Sequence, residues 1–241
     1  MKNKIFKIIV TVISILSICN TTVSAAPIET SDIIEAFIQT SDKYVKRENG
    51  DGILLHTDNL DDYKHWSDYV NSSINTVFRS CSLNTIYPIY SYGPQDGDHY
   101  IILSSDQLKT LADHQKAVDE WAHFVASQLF PSGTDRGTVL QTSFLHIVRN
   151  YPYDDTATSW RDSLKCNQAQ DAYYMITNGS GICASYAKAF RALIEAVPFN
   201  PETHLVDWEC NNPAYIKVAI VKYFHSNVGH EWNAIQESDG S

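Results

Sequence analysis

Hydrophobic residues recur at three- and four-residue intervals through most of the segment 105–198, which predicts a series of helices. The helices expected from this spacing cover 105–129, 135–150, 169–176 and 183–197. The strand-like segments that follow them cover 204–208, 214–224 and 229–236. Helices that precede strands, without a repeating βαβ unit, predict an α+β fold with an antiparallel sheet.

The first 25 residues have the composition of an export signal. Three lysines precede an apolar run from Ile8 to Ile18, and small residues lead to an expected cleavage after Ala25. The run is too short to cross a bilayer comfortably, and no later apolar run is long enough. The sequence therefore predicts a secreted or cell-surface protein without a membrane span after cleavage.

The remaining chain divides into two parts that differ in sequence pattern. Residues 26–105 form an accessory region with no chemical motif, in which we expect a helix within 28–44 and strands at 85–92 and 99–103 around a turn. Residues 106–241 form the main domain. In its helix over 135–150, the spacing places five residues on one apolar face: Val139, Leu140, Phe144, Leu145 and Val148.

The charge and the cysteine content exclude several classes of partner. The net charge is −10, and cleavage of the signal would make it more negative, because the signal contains three lysines. Such an acidic protein is repelled by phosphate backbones, so nucleic acid is not an expected partner. No CxxC pair, zinc spacing or Gly-rich phosphate loop is present. We therefore expect neither a metal nor a cofactor, and the oligomeric state stays open.

Four cysteines follow the signal: Cys81, Cys166, Cys183 and Cys210. Export permits disulfides. If Cys183 is kept for chemistry, at most one pair can form among the other three, and the sequence leaves open which.

Cys183 and His230 are the candidate catalytic residues. A cysteine in the first turn of a helix lies near unsatisfied backbone N–H groups and the positive end of the helix dipole, which stabilise a thiolate. Gly179 and Gly181 let a substrate carbonyl approach, and the N–H of Cys183 points to where an oxyanion would form. His230 opens a strand, and a strand end packed on a helix start holds an imidazole near a thiolate.

Two motifs resemble the transglutaminase-like superfamily. The segment 179–190 reads GSGICASYAKAF and is similar to the nucleophile helix of these proteins, G-x-G-V-C-x-G/D-Y-A-x-A-F/L. The segment 229–233 reads GHEWN and is similar to their catalytic-histidine strand, G-H-A-W-N. Upstream, 140–153 (LQTSFLHIVRNYPY) resembles the helix and Tyr-x-Tyr loop that precede the cysteine. The resemblance covers residues 106–241.

The resemblance implies a papain-like core and acyl transfer through a Cys-His-Asp triad. Cys183 would attack a carboxamide or peptide carbonyl to form a thioester, with His230 as base and acid. The implied partner is a protein or peptide substrate, with cell-wall peptide as one candidate. Water as the second acceptor would give hydrolysis and an amine would give crosslinking, and the motifs do not choose between them.

This chain departs from the family pattern in two places. Ser185 stands where Gly or Asp is common. The triad aspartate is expected on the strand after the histidine, and Asp239 fits the turn before that strand rather than the triad itself. A truncated chain, a Cys-His dyad or an inactive protein would each explain this. We expect truncation, because an end in the middle of a hairpin would leave a sheet edge unpaired.

Three alternatives accompany the catalytic hypothesis. His225 is the second choice for the base, although no Trp-Asn follows it. The protein would otherwise be a non-catalytic binding module at the cell surface, or a structural secreted protein in which Cys183 forms a disulfide with Cys166 or Cys210. The reactivity of the Cys183 thiol and a disulfide map distinguish these alternatives.

Overall fold

The computed structural model describes residues 30–47, 52–57, 66–81, 90–95, 98–158, 168–225 and 228–236. Within these ranges it contains six α-helices and two antiparallel sheets. The architecture is therefore mixed helix and sheet, as an α+β fold requires. No helix within the described ranges is long and apolar enough to cross a membrane. The expected signal peptide, Cys166 and Asp239 lie outside the described residues.

The N-terminal part is a small sheet covered by helices. In chain order its elements are α1 (Thr30–Thr40), β1 (Tyr44–Lys46), β2 (Gly52–Thr57), α2 (Trp66–Val77), β3 (Tyr90–Gln95) and β4 (Asp98–Ser104). The strand order is β1-β2-β4-β3, and every neighbouring pair is antiparallel. The helix expected within 28–44 is confirmed as α1, which buries Ile33, Ile34 and Phe37 in the first core.

The turn between β3 and β4 is shorter than the sequence indicates. Strand β3 continues through Pro94 to Gln95, which pairs with Asp98 after a shift in register beyond Tyr92. Proline is tolerated there because β3 is an edge strand and the irregular register spares its missing N–H. Of the strand expected over 85–92, residues 85–89 lie outside the described residues.

The long helix α3 (Ser105–Leu129) joins two hydrophobic cores. Its start is fixed by a capping box, in which the Ser104 hydroxyl accepts the Gln107 N–H at 3.3 Å and the Gln107 side chain accepts the Ser104 N–H at 2.8 Å. Leu108 and Leu111 belong to the first core, whereas Val118 belongs to the second. The accessory region and the main domain are therefore packed together through one continuous helix.

Three further helices build the second core. They are α4 (Arg136–Asn150), α5 (Ala172–Asn178) and α6 (Cys183–Glu195), with a 3-10 turn at Asp155–Thr158. Their predicted positions are confirmed, but the predicted face of α4 is partly wrong. Phe144 and Val148 are 57% and 41% exposed, and the buried residues are Val139, Ser143 and Ile147. These three residues lie four apart and therefore share one face of α4.

The second sheet is a hairpin of β5 (Val218–His225) and β6 (Val228–Ile235). The strand expected over 204–208 is wrong, because this segment makes only isolated pairings such as Phe199 with Val206. It is held instead in a turn, where the Asn200 N–H donates to the Leu205 carbonyl and the His204 N–H donates to the Asn200 carbonyl, both at 2.9 Å. His204 has a φ of 58°, which a strand does not accommodate.

Candidate active site

Cys183 is the first residue of α6, as the sequence predicts, and its thiol is half-buried. Ile182 before it is extended, with φ −117° and ψ −179°. The Ser185 hydroxyl accepts the Ile182 N–H at 2.9 Å and donates to the Ile182 carbonyl at 3.0 Å. Ser185 therefore fixes the backbone from which Cys183 projects.

The thiol of Cys183 is free, as are those of Cys81 and Cys210. A disulfide between Cys183 and Cys210, one form of the structural alternative, is therefore not formed in this structure. Cys166 lies outside the described residues, so the pairing left open among the remaining cysteines stays open.

Glycine is required at positions 179 and 181, before Cys183, for different structural reasons. Gly179 has a φ of 76° and ends α5 in the left-handed conformation, where its N–H donates to the Met175 carbonyl at 2.9 Å. At Gly181 an added Cβ would lie 2.3 Å from the Ser185 hydroxyl oxygen and 2.9 Å from Cγ of Met175. The absence of a side chain at 181 thus lets α5 and the first turn of α6 pack closely.

His230 lies on the exposed face of β6. The predicted alternation is confirmed: His230, Trp232 and Ala234 are exposed, and the residues between them are partly covered. The imidazole packs against the Trp232 ring, with centroids 5.9 Å apart, and its strand partner is Tyr223. His225 ends β5, the neighbouring strand.

Strand β6 is attached to α6, the helix that begins at Cys183, by a side-chain amide. The Nδ2 of Asn233 donates to the Ala187 carbonyl of α6 at 2.9 Å. Farther along, Val218 pairs with Ile235 and donates its N–H to the Glu195 carboxylate at 3.3 Å. The order of these contacts shows that β6 and α6 run in the same direction.

This shared direction brings the start of β6 to the end of α6 that carries the thiol. With strand and helix rises of about 3.3 and 1.5 Å per residue, His230 begins about 10 Å before Asn233 and Cys183 about 6 Å before Ala187. The side chain of His230 nevertheless points away from α6. Among the hydrogen bonds of the described residues, none joins Cys183 to His230.

Glu231 carries an unusual carboxylate on the opposite, helix-facing side of β6. Its side chain is 9% exposed, and Oε1 pairs with Nζ of Lys222 at 3.1 Å. Its Oε2 is buried and has no hydrogen-bond partner. A buried oxygen without a donor is rare in native proteins.

Tyr153 is a site residue that the sequence reasoning did not assign. Its loop runs beside Gly181: the Asp154 N–H donates to the Gly181 carbonyl at 2.8 Å, and the Gly181 N–H donates to the Pro152 carbonyl at 3.3 Å. Burial raises the pKa of the Tyr153 phenol, and the negative charge of a Cys183 thiolate raises it further. The Tyr-x-Tyr loop was visible as a motif, but its spacing alone does not show that its second tyrosine lies beside Gly181.

Two buried charges anchor α6 on its other side. The Nζ of Lys188 donates to the Gln170 carbonyl at 2.9 Å and lies 3.3 Å from Oδ1 of Asp171. Their side chains are 1% and 4% exposed. This ion pair holds α6 against the segment that leads into α5. Arg79, from the accessory region, pairs with Glu195 at the far end of the same helix.

The fold and the site together define a mixed helix and sheet protein with a partly accessible thiol in the first turn of α6. This helix is held by the Asn233 hydrogen bond and by the Lys188–Asp171 ion pair. No protein-family model matches this chain, and no curated protein sequence matches it. The described residues contain no group of three or more His, Cys, Asp or Glu side chains arranged to hold a metal. The functional assignment therefore depends on the motifs and on the geometry around Cys183.

Proposed function

We propose that this protein is an exported transglutaminase-like enzyme that transfers acyl groups from protein or peptide amides through a Cys183 thioester. The observation that carries the proposal is the position of the thiol. Cys183 is the first residue of α6, half-buried and free, and Asn233 attaches the strand of His230 to the same helix. A thiol at a helix start can use the N–H groups of the first turn during carbonyl addition.

The proposed reaction has two stages. Cys183 gives its proton to His230, and the thiolate attacks the carbonyl carbon, moving the C=O π electron pair to oxygen. When the C=O bond re-forms, the C–N bond breaks, and the leaving amine takes the proton from His230. Water or a second amine then attacks the thioester and releases Cys183, which gives hydrolysis or crosslinking.

The position of His230 sets a condition on this proposal. The imidazole lies at the end of β6 that is level with Cys183, but on the exposed face. A rotation of this side chain, or a shift of the strand end, is therefore part of the proposed cycle. Strand ends have fewer packing constraints than strand centres, and catalytic hydrogen bonds in ligand-free enzymes are often long.

The test measures turnover of amide substrates. Wild-type protein, Cys183→Ser and His230→Gln are incubated with glutamine-containing peptides, with and without a primary amine, and ammonia, cleavage and amine incorporation are followed by mass spectrometry. We expect turnover by the wild type and its loss in both variants. His225→Gln is the matched control in the same hairpin and should retain turnover. Turnover that persists in Cys183→Ser would contradict the proposal.

The outward orientation of His230 favours a second candidate function. A protein that keeps this fold without catalysis would serve as a binding module, and the exposed side of the hairpin presents Tyr223, His230 and Trp232. The two candidates differ in the chemistry of Cys183. A binding module would retain peptide affinity in Cys183→Ser and would show no acyl-enzyme in the wild type.

A further inference from the structure

The loop of Tyr153 is fixed directly beside the residues that lead into Cys183. Tyr153 pairs with Gly181 in a parallel bridge, and backbone hydrogen bonds connect the residues on either side of Tyr153 with Gly181. Asp154 stabilises the loop from the other side, because its Oδ1 accepts the Thr156 N–H at 3.1 Å and the Ala157 N–H at 3.2 Å. The backbone of Tyr153 is therefore positioned independently of any substrate.

The ring of Tyr153 packs on the first turn of the nucleophile helix. Its centroid lies 6.0 Å from that of Tyr186, one turn beyond Cys183. The Tyr186 hydroxyl in turn donates to the Tyr151 carbonyl, which ties α6 back to the same loop. Tyr153 remains 49% exposed, so part of the residue is accessible to an incoming substrate.

The bridge to Gly181 and the ring contact with Tyr186 hold Tyr153 against residues on either side of Cys183, two positions before it and three positions after it. Burial raises the pKa of the phenol, and the negative charge of a Cys183 thiolate raises it further. A phenol with an ordinary pKa of about 10 is protonated at neutral pH, so the Tyr153 hydroxyl has a proton to donate. A neutral donor beside a nucleophile and a backbone N–H has the arrangement that a developing oxyanion needs.

We propose that Tyr153 is a catalytic residue whose hydroxyl donates a hydrogen bond to the oxyanion, together with the N–H of Cys183. The inference depends on the proposed function. As the sulfur–carbon bond forms, the C=O electron pair moves to oxygen, and the phenol donates a hydrogen bond without giving up its proton. When the C=O bond re-forms, the leaving amine takes its proton from His230, and Tyr153 is unchanged.

The test compares two reactions of the same thiol in Tyr153→Phe. Acylation of Cys183 by p-nitrophenyl acetate passes through an oxyanion, whereas alkylation by iodoacetamide is a displacement at a saturated carbon and forms none. We expect the acylation rate constant to fall about 100-fold, as for loss of one oxyanion donor, and the alkylation rate constant to stay the same or rise. Both rates are measured on one preparation, and circular dichroism of that preparation establishes that Tyr153→Phe is folded.

Tyr186→Phe is the matched control. It keeps the ring beside Tyr153 and removes only the hydrogen bond to the Tyr151 carbonyl, so the ratio of acylation to alkylation should stay close to that of the wild type. An equal fall of both rates in Tyr153→Phe, or no fall in either, would overturn the role of Tyr153. If wild-type Cys183 is acylated no faster than Cys210, the proposed function itself fails, which is a separate result.

Discussion

Cys81 and Cys183 are both free thiols, but the protein surrounds them differently. Cys81 is fully buried in the first core, and its Sγ lies 3.5 Å from the Leu111 carbonyl. Burial raises the pKa of the Cys81 thiol well above its usual range, and the nearby charge of Asp171 adds to this. Cys183 is half-buried in the first turn of a helix, close to the loop of Tyr153 that pairs with Gly181.

The two residues are of the same type, so the difference in their properties comes from their surroundings. Cys81 acts as a small apolar side chain that fills space between α2 and α3. Cys183 contributes little to either core and instead lies where a carbonyl can approach it. The predictions below test whether this contrast extends to reactivity and to stability.

The largest effect is expected on acylation itself. Cys183→Ala should reduce acetylation by p-nitrophenyl acetate to the background of the other cysteines, a loss of about 1,000-fold or more for removal of a nucleophile. Cys81→Ala should leave acetylation unchanged, because the Cys81 thiol is buried. Stopped-flow release of p-nitrophenol measures both. A burst that persists in Cys183→Ala would remove the contrast between the two thiols.

The next largest effect is expected on the free energy of unfolding, from the buried ion pair of Lys188 and Asp171. Lys188→Met would leave the Asp171 carboxylate buried without its cation, which should lower the free energy of unfolding by about 3–5 kcal/mol. Lys109→Met is the control, because Lys109 pairs with Asp113 on the surface with side chains 64% and 62% exposed. It should change stability by about 0.5 kcal/mol or less. Urea unfolding of both variants checks this, and equal effects would contradict it.

Gly181→Ala tests the close packing before Cys183. The new Cβ would overlap the Ser185 hydroxyl and the Met175 side chain, so we expect a loss of about 1–3 kcal/mol. At Gly137 the nearest atom to an added Cβ is a carboxylate oxygen of Asp135, at 3.2 Å. Gly137→Ala should therefore stay within about 1 kcal/mol of the wild type. Thermal unfolding measures both variants, and a wild-type midpoint for Gly181→Ala would contradict the packing argument.

A smaller effect on stability is expected from the hydrogen bond by which Asn233 attaches the hairpin to α6. Asn233→Ala removes the hydrogen bond to the Ala187 carbonyl and should cost about 1 kcal/mol. Asn150→Ala removes an exposed side chain that bonds within its own helix and should cost less. Hydrogen exchange adds a local measurement, because β6 amides should lose protection only in Asn233→Ala. Unchanged protection of the β6 amides would show that the Asn233 hydrogen bond does not hold β6 in place.

The smallest effect is the pH dependence that Cys81 contributes. A raised pKa in the folded state contributes stability that is fully present below the ordinary thiol value of 9.0 and is lost as the pH rises above it, because the unfolded chain ionises first. Cys81→Ala should therefore lose less stability than the wild type above about pH 9. Urea midpoints across this range measure the difference, and parallel curves would contradict the burial argument.

Helix positions and the location of Cys183 were predictable because they depend on local spacing and on the residues that end helices. The alternation along β6 was predictable for the same reason. The exposed Phe144 and the turn around His204 were not, because they depend on which neighbours are present in space. Tyr153 and the unpartnered oxygen of Glu231 were missed because their significance arises from contacts between segments that are distant in sequence.

The central claim is that Cys183 is placed for reaction whereas the other described cysteines are not. The direct measurement is the rate of alkylation at each cysteine by limiting iodoacetamide at mildly acidic pH, with peptide mass spectrometry to assign the sites. We expect Cys183 to react at least about tenfold faster than the half-buried Cys210, with Cys81 unmodified until the protein unfolds. Alkylation of Cys183 and Cys210 at equal rates would contradict the claim.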